Sequence, residues 1–184
     1  MSIHIYTFYR FHSILILPQK KIKYLNSKLS NLIPFEWKLI LMNEGSFTQS
    51  LYFLNNKKIN IKMCQKINNT SSKLNKNIRC VWLENTVYTK FIFARSIWLV
   101  RYINNIKYPV INNQPIGTSL IESQIDIYKH IHEIYYGYSK EIEKQLTKVS
   151  IKALWGRKYT LYYNHISYVT IQEFFSPGIF NLFY

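Results

Sequence analysis

Acidic residues are scarce in this chain: nine Asp and Glu stand against 24 Lys and Arg in 184 residues, a formal net charge of +15. That balance disfavours cationic partners and suits an anion, whether nucleic acid, an anionic membrane surface or a small acidic metabolite. Zinc-ligand spacings, a glycine-rich phosphate loop and RNA-binding signatures are all missing. Most lysines fall in polar, Asn-rich stretches such as LPQKKIKYLNSK, where a solvated surface accounts for them, so nucleic acid is not the expected partner. Only two cysteines occur, Cys64 and Cys80, in different predicted strands, so no disulfide framework is expected and a reducing compartment suits the chain. No apolar run approaches the ~20 residues that span a bilayer, so no integral membrane segment is expected. The opening MSIHIYTFYRFHSILIL lacks a small-residue cleavage site, and secretion is not expected either.

What is present is a folding composition, with 48% hydrophobic and 17% aromatic residues against 18% charged. The length suits one domain over residues 1–184, with 1–34 assigned only loosely as an apolar stretch and a basic connector. Heavy use of Lys, Asn, Ile and Tyr matches an AT-rich coding origin such as an organelle genome. A plastid location is expected in that case, and a cytoplasmic one otherwise.

Phe35 to Leu54 reads as a helix broken at NEGS, with Ser46 placed to cap a new helical turn from Phe47. KKINIKMCQK alternates as a half-buried strand, with loop composition from Ile67 to Asn77. IRCVWLEN and KFIFARSIWLV read as strands, the second apolar on both faces. After the NNQPIG loop, Leu120, Ile125, Ile127, Ile131 and Ile134 recur at helical spacing, which predicts a helix from Ser119 to about Gln145. On such a helix His130 and His132, two apart, would not face each other and would make a poor metal pair. Arg157 to Pro177 closes the chain as a hairpin with His165 in its turn. The expected class is α+β: an antiparallel sheet with helices packed on one side.

One residue breaks the hairpin pattern. Period two puts Val169, Ile171, Glu173 and Phe175 on one face, so Glu173 lies on an aliphatic surface where an unpartnered carboxylate costs several kcal/mol. Arginines with the same conflict occur elsewhere: Arg79 shares a face with Val81 and Leu83, Arg95 with Phe91, Phe93 and Ile97, and Arg157 with Tyr159 and Leu161. Two arrangements fit. The guanidinium forks can line a site for a small organic acid, with Glu173 paired to one of them. Alternatively they are ordinary ion pairs at a sheet rim, with stems buried and heads in water.

The short motifs carry a resemblance. LWGRK at Leu154–Lys158 followed by TIQEFFSP at Thr170–Pro177, with IRCVWLEN and FIFARS, QPIG at Gln114–Gly117 and EGSFT at Glu44–Thr48 upstream, resembles the chorismate pyruvate-lyase family, in the family's order over about residues 36–177. The resemblance implies a ligand enclosed between an antiparallel sheet and helical flaps. It implies conversion of chorismate to 4-hydroxybenzoate and pyruvate, without metal or organic cofactor, for quinone biosynthesis. It makes Arg79 the carboxylate-binding arginine, Ile116 a backbone-amide contact to the same carboxylate, and Glu173 the acid that meets the ring hydroxyl. Phe47 stands where the family usually has a methionine lining the site, and Arg157 or Arg95 would receive the second carboxylate. The same fold also serves as a small-molecule-binding module of bacterial regulators, which is the alternative function.

Overall fold

The structure is a computed structural model describing residues 11–22, 32–55, 59–69, 76–85, 89–99, 116–124, 126–146 and 153–182. Its frame is an antiparallel sheet with strand order β1-β5-β6-β7-β4-β3-β2. The strands are β1 (Phe11–Pro18), β2 (Asn60–Asn69), β3 (Lys76–Glu84), β4 (Lys90–Leu99), β5 (Tyr128–Ser139), β6 (Leu154–Tyr163) and β7 (Ile166–Phe175). The expected loop from Ile67 to Asn77 is shorter than its composition suggested, because β2 runs on to Asn69 and β3 already starts at Lys76. Residues 70–75 and 111–115, both read as loop, lie outside the described residues, as do 1–10 and 23–31 of the loosely assigned N-terminal segment.

The helices are α1 (Gln19–Ile22), α2 (Phe35–Leu41), α3 (Phe47–Asn55), α4 (Ile116–Glu122) and α5 (Lys140–Leu146), and Pro177–Leu182 forms a closing 3-10 helix. The break at NEGS is real: the Gln49 amide donates to Ser46 Oγ at 3.4 Å, the position an N-cap serine serves. Asn164 and His165 have positive φ (47° and 63°) and turn the β6–β7 hairpin, a conformation whose twist matches the flanking strands.

The helix expected from Ser119 to Gln145 is three elements: α4, strand β5, then α5. The misreading has a physical cause. β5 carries an irregularity between Ile131 and Glu133, where one extra residue shifts its register against β6. Lys129 and Ile131 stand opposite Leu161 and Tyr159, whereas past the bulge Ile134 and Tyr136 stand opposite Arg157 and Trp155 on the same face. A bulged strand thus places Ile127, Ile131 and Ile134 at steps of four and three, the spacing of a helix. The histidines are corrected with it: two apart on a strand they share a side, and their rings lie 4.9 Å apart. No metal-binding group occurs among the described residues.

Two buried clusters occupy the odd-numbered face of β7. One gathers Phe175, Trp155, Leu83 and Ile92 with Trp37, Ile40 and Leu41 of α2, Phe47 and Leu51 of α3 and Ile179 of the 3-10 helix. The other holds Tyr159, Leu161, Val169 and Ile171 under Leu120 of α4. The opposite face packs Phe174, Trp82, Phe93 and Leu154 against Ile142 of the short α5. Along β7, Phe175 belongs to the first cluster and Ile171 to the second, and Glu173 falls at the seam between them.

Candidate functional site

The seam is a row across the sheet. Val81, Ala94, Glu173, Arg157 and Ile134 are successive register partners on β3, β4, β7, β6 and β5. The next row holds Arg79, Ser96, Ile171, Tyr159 and Ile131. Over this region lies a cavity of about 420 Å³. Sheet residues including Arg79, Ala94, Tyr159 and Glu173 form its floor, Lys129 a side, and Phe47 of α3 with Ile116 and Leu120 of α4 its cover. Exposed Glu44, Gly45, Gln49 and Asp126 mark its mouth.

Glu173 is 7% exposed and carries a donor on each oxygen. Arg157 Nε donates to Oε2 at 2.8 Å and the Tyr159 hydroxyl donates to Oε1 at 2.8 Å. Each oxygen has a further lone pair, so the carboxylate can accept from a ligand hydroxyl while both bonds stand. Burial, together with the negative charge of Glu173, pushes the Tyr159 phenol well above its ordinary pKa and keeps it a donor.

Arg157 is 0% exposed, and its Nη1 donates to the carbonyls of Ile40 (2.9 Å), Leu41 (3.1 Å) and Asn43 (3.0 Å). These are carbonyls at and just past the end of α2, of which Ile40 O also takes a long bond from the Asn43 amide (3.4 Å), and a cation there meets the negative end of the helix dipole. The Lys129 ammonium reinforces the same turn, donating to Gly45 O at 2.7 Å and Asn43 O at 3.3 Å, with the Tyr159 ring 4.8 Å beneath it. Burial and the charge of Arg157 lower the Lys129 pKa to about 8, against the opposing pull of Glu173 and Glu44. At the cover, α3 and α4 meet closely at their N-termini: a Cβ on Gly117 would lie 2.5 Å from Ser46 Oγ.

A buried carboxylate held by an arginine and a tyrosine shares the cavity floor with a second arginine, which puts a hydrogen-bond acceptor and a cation on one surface. A family model described as Chorismate pyruvate-lyase Rv2949c-like matches residues 41–183. The chain belongs to this family. It is 46% identical to the uncharacterized protein ycf21 of Antithamnion sp., over 84% of this chain and 85% of that one. It is 38% identical to the ycf21 protein of Porphyra purpurea (81% and 85% covered) and 33% identical to that of Cyanophora paradoxa (82% and 81%). Among solved structures it is similar to the effector domain of PhnF from Mycobacterium smegmatis, with a TM-score of 0.55 at 7% identity, covering 73% of this chain and 90% of that one. That likeness shows the fold alone.

In this chorismate pyruvate-lyase-like chain, Arg79, Phe47, Ile116 and Glu173 all line this cavity. Arg157 and Arg95, expected to receive a second carboxylate, do not. Arg157 lies behind Glu173, with Nε on that carboxylate and Nη1 turned to the carbonyls at the end of α2. Arg95 stands opposite Cys80 and Gln172, on the face of the sheet turned away from the cavity. The rim reading of the arginines fails for Arg157, whose head is buried and not in water. Among the wall residues to which sequence reasoning gave no role, two make side-chain bonds that hold the site. Lys129 was hidden by the helical misreading of β5, and Tyr159 was aligned with Arg157 without a role, although its spacing from Glu173 across the hairpin carried the signal.

Proposed function

We propose that this protein converts chorismate to 4-hydroxybenzoate and pyruvate, supplying the aromatic precursor of a quinone inside a plastid. Family membership supports the chemistry. The observation that carries the proposal is Glu173, a carboxylate at the cavity wall held by Arg157 and Tyr159, with Arg79 on the same wall. From strand spacing and register the Cα atoms of Glu173 and Arg79 lie about 12 Å apart, two strands over and two residues along, leaving room for one ring between their functional groups. The ycf21 designation of its algal relatives supports the plastid setting.

In this reading Arg79 anchors the ring carboxylate, the Ile116 backbone amide assists it, and Phe47 packs on the ring. Glu173 accepts a hydrogen bond from the 4-hydroxyl. The ether bond at ring C3 breaks with its electron pair leaving on the enolpyruvyl oxygen. The C4 proton is lost, the ring becomes aromatic, and protonation of the enol carbon yields pyruvate. The two products together have the composition of chorismate, the proton lost at C4 being offset by the one taken up at the enol carbon, so the protein's contribution is orientation, exclusion of water and stabilisation of the departing enolate.

Purified protein mixed with chorismate is expected to release pyruvate, read by a coupled lactate dehydrogenase assay. Glu173→Gln and Arg79→Ala should each lower the rate about a hundredfold, while Arg95→Ala should leave it unchanged. Turnover indifferent to both site variants would reject the assignment. Binding of 4-hydroxybenzoate without pyruvate release would identify a binding module of the same fold.

A further inference from the structure

We propose that Lys129 is the second anion-binding cation of this cavity, receiving the carboxylate of the enolpyruvyl arm at the end of the substrate remote from Arg79. The inference rests on the chorismate reading above and names the residue that makes the site select a dianion over a monoanion. Among the described residues the cations lining the cavity are Arg79 and Lys129. They stand on opposite sides of Glu173: Arg79 on β3, two strands beyond β7 in one direction, and Lys129 on β5, two strands beyond it in the other. A ligand whose hydroxyl meets Glu173 therefore has one cation on each flank.

The setting of Lys129 prepares it for this role. An ammonium has three donors, and Gly45 O and Asn43 O take two, which leaves one for a ligand. The two carbonyls and the Tyr159 ring hold the head in place, so little side-chain freedom remains to be lost on binding. The groups that face it are Arg157, which repels it, and Glu173 and Glu44, which attract it, with Asp126 also on the cavity wall. With a pKa of about 8 the amine is charged at neutral pH and loses its charge as the pH rises above 8. A bound carboxylate would raise that value, because an opposite charge favours the ammonium.

The test is chorismate kinetics over pH 6.5 to 9.5 and calorimetric binding of 4-hydroxybenzoate for the wild type, Lys129→Met, Lys129→Arg and Arg79→Ala. Lys129→Met should raise the chorismate KM by about 10- to 100-fold and weaken 4-hydroxybenzoate binding by less than about threefold. Lys129→Arg should restore most of the loss. KM of the wild type should rise above about pH 8, and that of Lys129→Arg should stay level there. An equal loss for both compounds in Lys129→Met would mean that the lysine only ties down the turn, and no loss would mean it does not bind substrate; either overturns the proposal. Failure of the underlying reading looks different: the wild type would neither turn over chorismate nor bind 4-hydroxybenzoate, or Arg79→Ala would act on the one and bind the other as well as the wild type does.

Discussion

Arg157 and Glu173 stand directly opposite each other on β6 and β7, joined by a 2.8 Å bond from guanidinium Nε to carboxylate Oε2 in the interior of the fold. The pair faces two ways. Glu173 turns its carboxylate to the cavity, and Arg157 turns its Nη1 to the end of α2, so the ion pair links the cavity floor to that helix end. Removing one partner of a buried pair leaves the other charge uncompensated, which costs about 3–5 kcal/mol. Arg157→Met and Glu173→Gln are each expected to lose stability on that scale in urea denaturation. The double variant should lose less than the sum, because neither charge is then stranded. Additive losses would show that the two groups are not coupled.

Gly117 opens the first turn of α4 against Ser46, and an added methyl would come within 3.0 Å of the Ser46 Cβ as well as 2.5 Å of its hydroxyl. Gly117→Ala should therefore push α3 and α4 apart at the cavity cover, costing about 1–3 kcal/mol and weakening ligand binding. Ser46→Gly, which removes the obstructing side chain while retaining a tolerated cap residue, should recover most of the binding. Unchanged affinity in Gly117→Ala would mean that this approach does not shape the cavity.

Tyr159→Phe removes one of the two donors to Glu173. A loss of about 1 kcal/mol at neutral pH is expected, with pyruvate release falling by about tenfold. The alkaline behaviour has a definite sign. The folded phenol is held well above its ordinary pKa, so the native state keeps a proton that the unfolded chain sheds above about pH 10. That contribution is complete below this pH and is lost as pH rises through and beyond it, so the stability gap between wild type and Tyr159→Phe should narrow in alkali. A gap that widens there would contradict the assignment.

Lys129 gives the opposite linkage. Its pKa falls from 10.5 to about 8 on folding, so between these values the unfolded chain binds the extra proton. The cost of burying the ammonium is present in full below about pH 8 and is relieved as pH rises toward 10.5. Relative to Lys129→Met, the wild type should gain stability across that window, measured by denaturation at each pH. A flat difference would mean that the amine is not desolvated.

Much of the site was legible before any fold was known. Alternation alone put Glu173 among Val169, Ile171 and Phe175, and the desolvation cost of a carboxylate there required a partner. Ser46 announced the start of α3, and the strand faces of Arg79 and Arg157 were read correctly. β5 was not legible, because a single extra residue turned a period of two into steps of four and three. With that strand misread, Lys129 could not be placed on the cavity wall.

The sequence by itself determined which residues conflict with their surroundings: an acid and three arginines on apolar strand faces, with too few acids to neutralise them. Only the tertiary structure decided how each conflict is resolved. Arg157 finds carbonyls 114 to 117 residues away along the chain at the end of α2, Arg95 turns to the far face of the sheet, and Arg79 and Lys129 end at the cavity. Period two tells which side of a strand a side chain leaves from. What it meets there depends on elements remote in sequence, because a buried polar group is satisfied by whichever donor or acceptor the packing brings within about 3 Å.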